Sequence, residues 1–501
     1  MPQQAVIWTT IAVYIVVMAV IGFLNSKKSK NINDFTVGDR SASAWMSAFS
    51  YGTAYFSAVM FIGYAGATGW DFGLWGIAAG IGNALFGALL AWIVLAKRTR
   101  EYTHANEIKS MPQLFGKRYD SPAMRLFAAI IIFVFLLPYS ASVYKGLTSV
   151  CSVLLKVDEI VCMIVIALAA VLVVVAGGYM ATLKADFFQG LFMLGGVIAL
   201  AICIMRAEQV GGFAEGLSRI AEKTESLNLT TNGHIRLWAT VLMTSFGTWG
   251  LPQMIHKYYG IKDDHEVKRG TVISTIFALV VAGGGYFIGS LSRLFYDDLS
   301  QVPGVAQGQK ATDYLVPNML ADAGLSNILI GLVLVLLIAA SVSTLGAITI
   351  TASSTLTMDL VQPNIKKKNY DIALLTKVVC FVFIILSYVI ANSQTPILDM
   401  MSYSWGIISG SFLAPYMLSL YLKRISKTAS WAGMIGGFVT ALPPLLAKLF
   451  FPSVELGSFG PLAGLGPQFA CLAMIVSLIL CLVLTAAFPA RQKAEAAEGA
   501  A

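Results

Sequence analysis

Long apolar runs dominate the pattern of this chain, and short polar connections separate them. A helix of about 20 apolar residues is long enough to cross the hydrocarbon core of a bilayer, which is roughly 30 Å thick. The pattern predicts thirteen such spans, over residues 5–25, 45–66, 74–96, 124–152, 159–179, 186–206, 237–257, 270–295, 326–352, 371–391, 397–421, 429–449 and 468–489. The chain is therefore predicted to be an all-α polytopic membrane protein.

Composition supports this class. The 501 residues are 57% hydrophobic and only 12% charged, whereas a soluble domain carries about 25% charged residues. The longest polar connections, 207–236 and 296–325, are short for an enzyme domain. We therefore expect one transmembrane domain over residues 1–501. The first run has no basic residue before it and is as long as a full span, so it is expected to be a retained helix and not a cleaved signal.

The placement of Lys and Arg predicts the orientation. Of the 34 basic residues, 25 fall in the loops on one side of the predicted spans and eight fall on the other. Because cytoplasmic loops are enriched in Lys and Arg, the N-terminus is predicted outside and the C-terminus inside. The net charge of +8 is thus a topology signal. The sequence contains no cluster of basic and aromatic residues of the kind that indicates nucleic-acid binding.

Glycine and proline interrupt two of the predicted spans. Gly52 lies in the second span, and the seventh contains Gly247-Thr248-Trp249-Gly250-Leu251-Pro252. Many transporters consist of two inverted halves whose interrupted helices bind substrate and ion near the midplane. Spans 2–6 (about 45–206) and 7–11 (about 237–421) are predicted to form such halves. The spans at 5–25, 429–449 and 468–489 are predicted to be peripheral.

Oxygen-rich segments occur in two distant spans. One is Ser50–Ser57 in the interrupted second span; the other is Ala339–Thr344, where neighbouring hydroxyls stand in an aliphatic run. Carbonyls freed at a helix break, together with Ser and Thr hydroxyls, offer hard oxygen ligands without burying a charge. This combination suits a sodium ion and favours a sodium-coupled secondary transporter.

Four ordered motifs make the chain similar to a known family. They are Asp34-Phe35-Thr36-Val37-Gly38-Asp39-Arg40, Gly177-Gly178 with Asp186 and Gln189, Ser343-Thr344 with Ser353-Ser354 and Asp359-Leu360, and Ser402-Tyr403-Ser404-Trp405 with Phe412 and Pro415. Over most of its length the chain resembles the sodium:solute symporter family, in its proline, pantothenate and monocarboxylate branch. The resemblance implies two inverted five-helix repeats with one helix before them and two after.

The resemblance also implies a set of sodium ligands. These are the carbonyls of Thr53, Phe56 and Ala340 and the hydroxyls of Ser343 and Thr344. Asp186 is expected near the inward route of the ion, and the alternative is a carboxylate that only stabilises a helix start. Members with a second sodium site tend to have hydroxyls one turn beyond the Ser-Thr pair, where this chain has Gly346 and Ala347. One sodium ion per transport cycle is expected.

The solute is expected between spans 2, 4, 7 and 11. Candidate substrate-binding residues, besides Lys145, are Tyr55, Ser57, Trp249, Gln253, Tyr403 and Trp405. Tyr55 stands where proline-type members carry an aspartate, and it provides no counter-charge for an ammonium group. Gln253 stands in the histidine position of the Gly-Leu-Pro-His motif of similar transporters.

Lys145 is the one basic residue that the pattern places inside a span. An intramembrane lysine suggests a functional role, and a substrate carboxylate is one candidate partner. The alternatives are that its side chain reaches the outer interface, or that its ammonium replaces a driving cation.

The sequence therefore predicts a symporter of the bacterial cytoplasmic membrane that imports a small carboxylate or amino acid, an organic anion or zwitterion, with sodium. Proton-coupled transport, a sugar-type solute and a membrane sensor are the alternatives. The expected partners are the solute, sodium and the lipid bilayer, and the chain is expected to be a monomer. The four histidines lack metal-ligand spacing, the six cysteines read as apolar residues, and no phosphate-binding loop occurs. No enzyme activity and no organic cofactor are expected.

Overall fold

A computed structural model describes residues 3–26, 40–305, 309–364 and 371–490, and omits the side chains of residues 3–4, 18–19, 21–26 and 169–181 within helices. The described residues are almost entirely helical, and their only extended pairings are isolated bridges between Ala42 and Ile261 and between Glu455 and Pro461. The motif residues 34–39 lie outside this description, and only the helical backbone is described at Gly177 and Gly178.

The α-helices follow one another in this order along the chain. They are α1 Gln3–Ser26, α2 Ala44–Tyr55, α3 Ala65–Phe72, α4 Ile77–Gly82, α5 Lys97–Ala105, α6 Met111–Arg118, α7 Pro122–Leu155, α8 Glu159–Met205, α9 Phe213–Glu225, α10 Thr231–Phe246, α11 Pro252–Tyr259, α12 Asp264–Ser290, α13 Thr312–Asp322, α14 Asn327–Thr355, α15 Gln362–Asn364, α16 Ile372–Ala391, α17 Ile397–Tyr421, α18 Lys427–Ala441, α19 Pro443–Phe450 and α20 Gly466–Ala487.

Shorter helical turns connect several of these helices. π-helical turns occupy Val59–Tyr64, Asn83–Leu90, Trp92–Ala96 and Leu356–Val361. 3₁₀ turns occupy Gly73–Gly76, Gly247–Gly250, Leu291–Leu294, Leu299–Gln301, Gly457–Phe459 and Leu462–Gly464.

Eight helical stretches of the described residues are long and apolar enough to cross a membrane. They are Val59–Ala105, Pro122–Leu155, Thr182–Met205, Asp264–Leu294, Asn327–Asn364, Ile372–Ala391, Lys427–Phe450 and Gly466–Ala487. The first of these contains a turn at Gly73, whose φ of 58° is unfavourable for residues with a side chain. The fold is a polytopic helical membrane fold. The number thirteen and the orientation remain predictions.

The interruption of the second span falls four residues later than Gly52. Helix α2 ends at Tyr55, and Phe56 adopts an extended conformation with φ −107° and ψ 103°. Gly52 still accepts a helical hydrogen bond from the Phe56 amide. A Cβ on Gly52 would collide with the ring of Phe277. This glycine therefore permits close packing of α2 on α12, and the break itself lies at Phe56.

The interruption of the seventh span lies where the glycines and proline predict it. Helix α10 ends at Phe246 and a 3₁₀ turn follows over Gly247–Gly250. Leu251 is extended, with φ −80° and ψ 120°, and Pro252 begins α11. A proline has no amide hydrogen and is tolerated at the first position of a helix. The break thus separates a short helix, α11, from the rest of the span.

The predicted connection between the fifth and sixth spans is helical in the structure, so both predicted spans lie on one helix. The structure has one helix, α8, of 47 residues from Glu159 to Met205. The predicted connection at 180–185 reads Met-Ala-Thr-Leu-Lys-Ala and contains neither glycine nor proline. Because nothing in those six residues disfavours helical backbone, the helix continues through them.

Helices α2 and α11 are joined at one end of the molecule. The Ala42 amide donates to the Gly260 carbonyl at 3.0 Å, and the Lys262 amide donates to the Ala42 carbonyl at 3.2 Å. The carboxylate of Glu266 on α12 accepts the amide of Ala44, the first residue of α2. The start of α2 is therefore tied to the end of α11 by backbone hydrogen bonds and to α12 by a side-chain hydrogen bond.

Helices α17 and α18 touch through glycines. A Cβ on Gly437 would collide with the backbone carbonyl of Gly410. Because the obstacle is backbone and not a flexible side chain, the two helices would have to separate to admit a methyl group.

We therefore expect Gly437→Ala to destabilise the protein by about 1–3 kcal/mol through overpacking, measured as a lower temperature of unfolding in detergent. Gly283→Ala is the matched control. Gly283 is also helical, and an added Cβ there meets no atom of the described residues within 4 Å. Equal unfolding temperatures for the two variants would contradict this account of the contact.

Candidate sodium and solute site

Three of the five predicted sodium ligands lie together, since two of them are carbonyls on either side of the third, a hydroxyl. The Thr344 Oγ1 atom lies 3.0 Å from the carbonyl oxygen of Thr53 and 3.0 Å from that of Ala340. All three residues are fully buried. The helical hydrogen bonds of α2 end with the bond that the Gly52 carbonyl accepts, so the Thr53 carbonyl is the first one free of the helix. Oxygens from α2 and α14 thus converge at the break in the second span.

The Ser343 hydroxyl belongs to the same cluster. It donates to Asp186 Oδ1 at 2.6 Å and lies 3.0 Å from Thr53 Oγ1. Phe56, the fifth predicted ligand, is fully buried and is the extended residue that follows α2. The structure therefore brings four of the predicted ligand residues into direct contact and places the fifth one turn from Thr53.

Asp186 lies at the centre of this network and not merely at a helix start. It is 0% exposed, and its second oxygen, Oδ2, accepts a hydrogen bond from Ser50. The same oxygen lies 3.3 Å from Lys257 Nζ. The alternative in which Asp186 serves only the helix dipole does not account for these three partners, because α8 begins far away, at Glu159.

Lys257 is a functional candidate that the pattern of spans does not reveal. That pattern places it with the basic residues of a loop, but its side chain is only 4% exposed and forms an ion pair with Asp186. A buried charge is costly unless it is paired, and removal of one partner of a buried pair leaves the other uncompensated. A signal was present in the sequence, since Lys257 follows Pro252 by five residues on the helix after the break.

The donor set suits sodium. Carbonyl and hydroxyl oxygens are hard ligands, and one carboxylate lies beside them. The Thr344 hydroxyl has a single hydrogen for two carbonyls, so an additional positive charge at this point would have oxygen partners already in place. Thr53, Ala340, Ser343 and Thr344 are the residues that would hold the ion, together with the carbonyl of Phe56 if the backbone shifts.

Aromatic side chains from three helices meet beyond the break. The rings of Tyr55 and Trp405 have centroids 6.2 Å apart, and the rings of Tyr139 and Trp405 meet edge to face at 5.5 Å. The hydroxyl of Tyr55 donates to the Thr244 carbonyl at 2.5 Å. Two predicted solute residues, Tyr55 and Trp405, are therefore neighbours, and Tyr139 of α7 joins them although no sequence motif singled it out.

Two hydrogen-bond donors of this aromatic cluster have no partner among the described residues. They are Trp405 Nε1 and Tyr139 Oη, and both atoms are buried. An unpaired buried donor costs free energy. These two donors are therefore available to an acceptor group of a ligand bound near the oxygens of Thr53, Ala340, Ser343 and Thr344, here called the ion cluster.

The remaining aromatic and hydroxyl candidates already have partners. Trp249 Nε1 donates to the Phe86 carbonyl at 2.9 Å, and Tyr403 Oη donates to the Ala463 carbonyl at 2.6 Å. The Ser57 hydroxyl is buried beside the break and accepts from the Val59 amide at 3.3 Å. Of these three, only Ser57 lies next to the ion cluster.

Gln253 lies on a small cavity beside the ion pair. Its amide nitrogen and oxygen are both buried, with no hydrogen-bond partner in the part of the chain that the structure describes. The cavity is lined by Thr182, Gln253, His256, Lys257, Ala347, Ile350 and Thr351. These residues come from α8, α11 and α14, the helices that carry Asp186, Lys257 and the Ser343-Thr344 pair. The cavity is therefore a candidate route to the ion cluster.

The ammonium group of Lys145 is bonded to backbone carbonyls in the structure. Its ammonium group donates to the carbonyls of Ser393, at 3.1 Å, and Thr395, at 2.8 Å. It lies six residues beyond Tyr139 on α7, about 9 Å along the helix axis. The long side chain thus holds the connection between α16 and α17. Of the predicted roles of Lys145, this arrangement is closest to the one in which its side chain extends towards the membrane surface.

Comparison with known proteins gives the family. A sequence model of the "Sodium:solute symporter family" matches residues 35–437. The osmoregulated proline transporter of Bacillus subtilis is 25% identical over 443 residues, which cover 86% of this chain and 87% of the relative. The sodium/proline symporter of Escherichia coli is also 25% identical over 443 residues, with 86% of each chain covered.

Solved structures share the fold. A Na⁺-coupled sialic acid symporter in a substrate-bound, outward-open state superposes with a TM-score of 0.75 at 17% identity, covering 97% of this chain and 98% of that one. A nucleobase-cation-symport-1 family transporter superposes with a TM-score of 0.57 at 13% identity, covering 90% and 92% of the two chains. The matched length, the helical membrane fold and the oxygen cluster all agree with this family. The chain belongs to the sodium:solute symporter family of multi-pass cell-membrane transporters, which are not enzymes and use sodium as the coupling ion.

Proposed function

We propose that the protein imports a small amino acid of the proline kind, or a related small carboxylate, together with one sodium ion. The observation that carries the proposal is the convergence of the Thr53, Ala340 and Thr344 oxygens at the break after α2. The membrane arrangement proposed with it is thirteen spans in two inverted repeats, with the N-terminus outside and the C-terminus inside.

The ion cluster joins two helices that belong to different repeats. Thr53 lies on α2, in the first proposed repeat, and Ala340 and Thr344 lie on α14, in the second. Sodium, when bound there, supplies a positive charge that attracts oxygens from both helices. Loss of the ion leaves only the Thr344 hydroxyl to hold the Thr53 carbonyl. Occupancy of the cluster would therefore bias the equilibrium between the two open states.

Lys257 supports a stoichiometry of one sodium. Its ammonium group already balances the charge of Asp186 at 3.3 Å. One turn beyond the Ser-Thr pair, Gly346 and Ala347 offer no side-chain oxygen. A second cation near Asp186 would therefore compete with a resident ammonium group and would find few further ligands.

The aromatic cluster supports a small carboxylate. Trp405 Nε1 and Tyr139 Oη are donors without acceptors among the described residues, and a carboxylate is an acceptor with two oxygens. Two of the relatives are named as proline transporters, one of them sodium-coupled. Tyr55 offers a ring face and no negative charge, so the amino group of an amino acid would have to be bound by backbone carbonyls near the break.

Proton coupling is the second candidate, and one observation favours it. Asp186 and Lys257 form a buried pair of titratable groups in direct contact with the ion cluster through Ser343. A proton delivered to such a pair would also change the charge beside the break. The replacement of sodium by potassium at constant pH separates the two candidates.

The sodium proposal is tested by Ser343→Ala combined with Thr344→Ala. With two of the oxygen ligands removed, we expect the half-saturating sodium concentration for proline uptake into proteoliposomes to rise at least tenfold, which corresponds to about 1.4 kcal/mol. Thr349→Ala is the matched control, because Thr349 carries a buried hydroxyl on the same helix that has no hydrogen-bond partner among the described residues. Uptake by the double variant with an unchanged sodium dependence would contradict the assigned ion site.

The role of Lys257 is tested by Lys257→Met. The change leaves Asp186 buried and unpaired, and we expect a destabilisation of about 3–5 kcal/mol in potassium buffer. Sodium should restore stability with a Hill coefficient above one, because a second ion can then take the vacated place. Asp186→Asn in the same chain should remove both effects. If Lys257→Met unfolds at the same temperature as the unsubstituted protein, the ion pair does not balance Asp186.

The carboxylate proposal is tested by Tyr139→Phe. Loss of a hydrogen bond to a charged group costs about 1.5–3 kcal/mol, so we expect the Kd for proline to rise roughly 10–100-fold. This affinity is measured by thermal unfolding in saturating sodium. The Kd for prolinamide, which lacks the carboxylate, should rise much less than the Kd for proline. Lys145→Met is the control and should leave the affinity for proline unchanged. A strong loss of affinity for proline in Lys145→Met and none in Tyr139→Phe would indicate that Lys145, and not Tyr139, contacts the substrate carboxylate.

A further inference from the structure

The segment 443–459, here called the rim segment, exposes an unusual number of large apolar side chains. It contains α19 and the first part of the following hairpin. Seven of its large apolar residues are exposed: Leu446, Leu449, Phe450, Phe451, Val454, Leu456 and Phe459. Its only charged residues are Lys448 and Glu455. A surface of this kind is unfavourable in water and marks an interaction site.

The apolar surface of the rim segment continues that of a membrane-spanning helix. Ile435 and Val439 on α18 are 47% and 57% exposed, and they belong to the span Lys427–Phe450. Leu446 and Phe450 follow them at intervals of seven and four residues, which is helical spacing on one face. Helix α19 is itself the last part of this span, so the exposed apolar row runs along the span to the point where the hairpin begins.

The backbone of the rim segment after Phe450 is suited to an interface and not to the hydrocarbon core. The hairpin is closed by hydrogen bonds from the Leu456 amide to the Gly460 carbonyl at 2.8 Å and from the Leu462 amide to the Val454 carbonyl at 2.9 Å. Irregular backbone of this kind carries polar groups that need water or headgroups nearby. The side chain of Lys448 can reach the headgroups while its methylene groups lie on the apolar surface.

Nearby parts of the same end of the molecule are polar. Lys223 pairs with Asp297 at 2.8 Å, and Arg236 pairs with Asp71 at 3.4 Å. These pairs contrast with the rim segment, and the contrast shows that its apolar character is local and not a general property of this end.

We propose that the rim segment lies in the boundary between headgroups and acyl chains, so that the lipid bilayer is its binding partner. The partner is identified by the continuity of the exposed row with the lipid-facing side of α18 and by the low charge of the segment. The rim segment is also fixed to the transport domain, since Asn232 of α10 donates to the Ser458 carbonyl at 3.0 Å. The turn that follows the hairpin is fixed as well, since Tyr403 of α17 donates to the Ala463 carbonyl at 2.6 Å. Lipid contact would thus anchor the hairpin that rests on α10 and α17.

The test is a nitroxide on Phe459→Cys, and separately on Phe450→Cys, in lipid nanodiscs of phosphatidylglycerol and phosphatidylethanolamine. Collision rates with oxygen, which concentrates in lipid, and with a water-soluble nickel complex are measured by electron paramagnetic resonance. Ile435→Cys is the lipid-facing control and Asp297→Cys is the aqueous control, since the Asp297 side chain is 82% exposed. The unsubstituted protein, treated in the same way, gives the background from its six native cysteines.

We expect the oxygen-to-nickel ratio at both rim positions to exceed that at Asp297→Cys several-fold and to approach that at Ile435→Cys. A ratio close to that at Asp297→Cys would place the segment in water and overturn the proposal. Low collision rates with both reagents would overturn it as well, because they would show that protein, such as a second copy of this chain, covers the segment. Sodium-dependent uptake by each labelled variant verifies that the protein measured is folded.

Discussion

The constraint on which the site depends is that a backbone carbonyl inside a membrane must have a partner. A carbonyl released by a helix break would be costly to leave unpaired in an apolar environment. At the end of α2 the Thr53 carbonyl is released in this way, and the Thr344 hydroxyl of α14 lies 3.0 Å from it. The break is therefore stable only while α14 stays against α2, and the same oxygens that satisfy this requirement are the ones a sodium ion would use.

The buried ion pair extends this coupling to the other broken helix. Asp186 contacts the ion cluster through Ser343 and contacts α11 through Lys257. The start of α2 and the end of α11 are also held together by the backbone bridge between Ala42 and Ile261. A movement of α11 that separates Lys257 from Asp186 would therefore be transmitted to α2 and to the Thr53 carbonyl. The two broken helices are thus connected at two places, through Asp186 beside the ion cluster and through the bridge between Ala42 and Ile261.

Much of this arrangement could be predicted from the sequence, because it depends on local chemistry. The Ser-Thr pair, the glycine and proline at the breaks and the apolar runs all act through short-range preferences. What could not be predicted depends on contacts between distant segments. Gly52 does not mark the break itself, because Phe277 of α12, far away in sequence, requires the glycine for packing. Likewise, hydropathy could not predict an unbroken α8, because it does not distinguish a polar connection from a polar turn within a helix.

The two lysines show that the position of a residue along a span does not fix the place of its charge. Lys145 stands inside a predicted span and Lys257 at the edge of one, so position suggests a function for Lys145 and a loop for Lys257. Their partners decide otherwise. Lys145 binds two carbonyls of a connection near the end of its helix, whereas Lys257 faces a carboxylate that is 0% exposed. A long flexible side chain can leave the depth of its own Cα. The ammonium group of Lys257, and not that of Lys145, therefore lies beside the ion cluster.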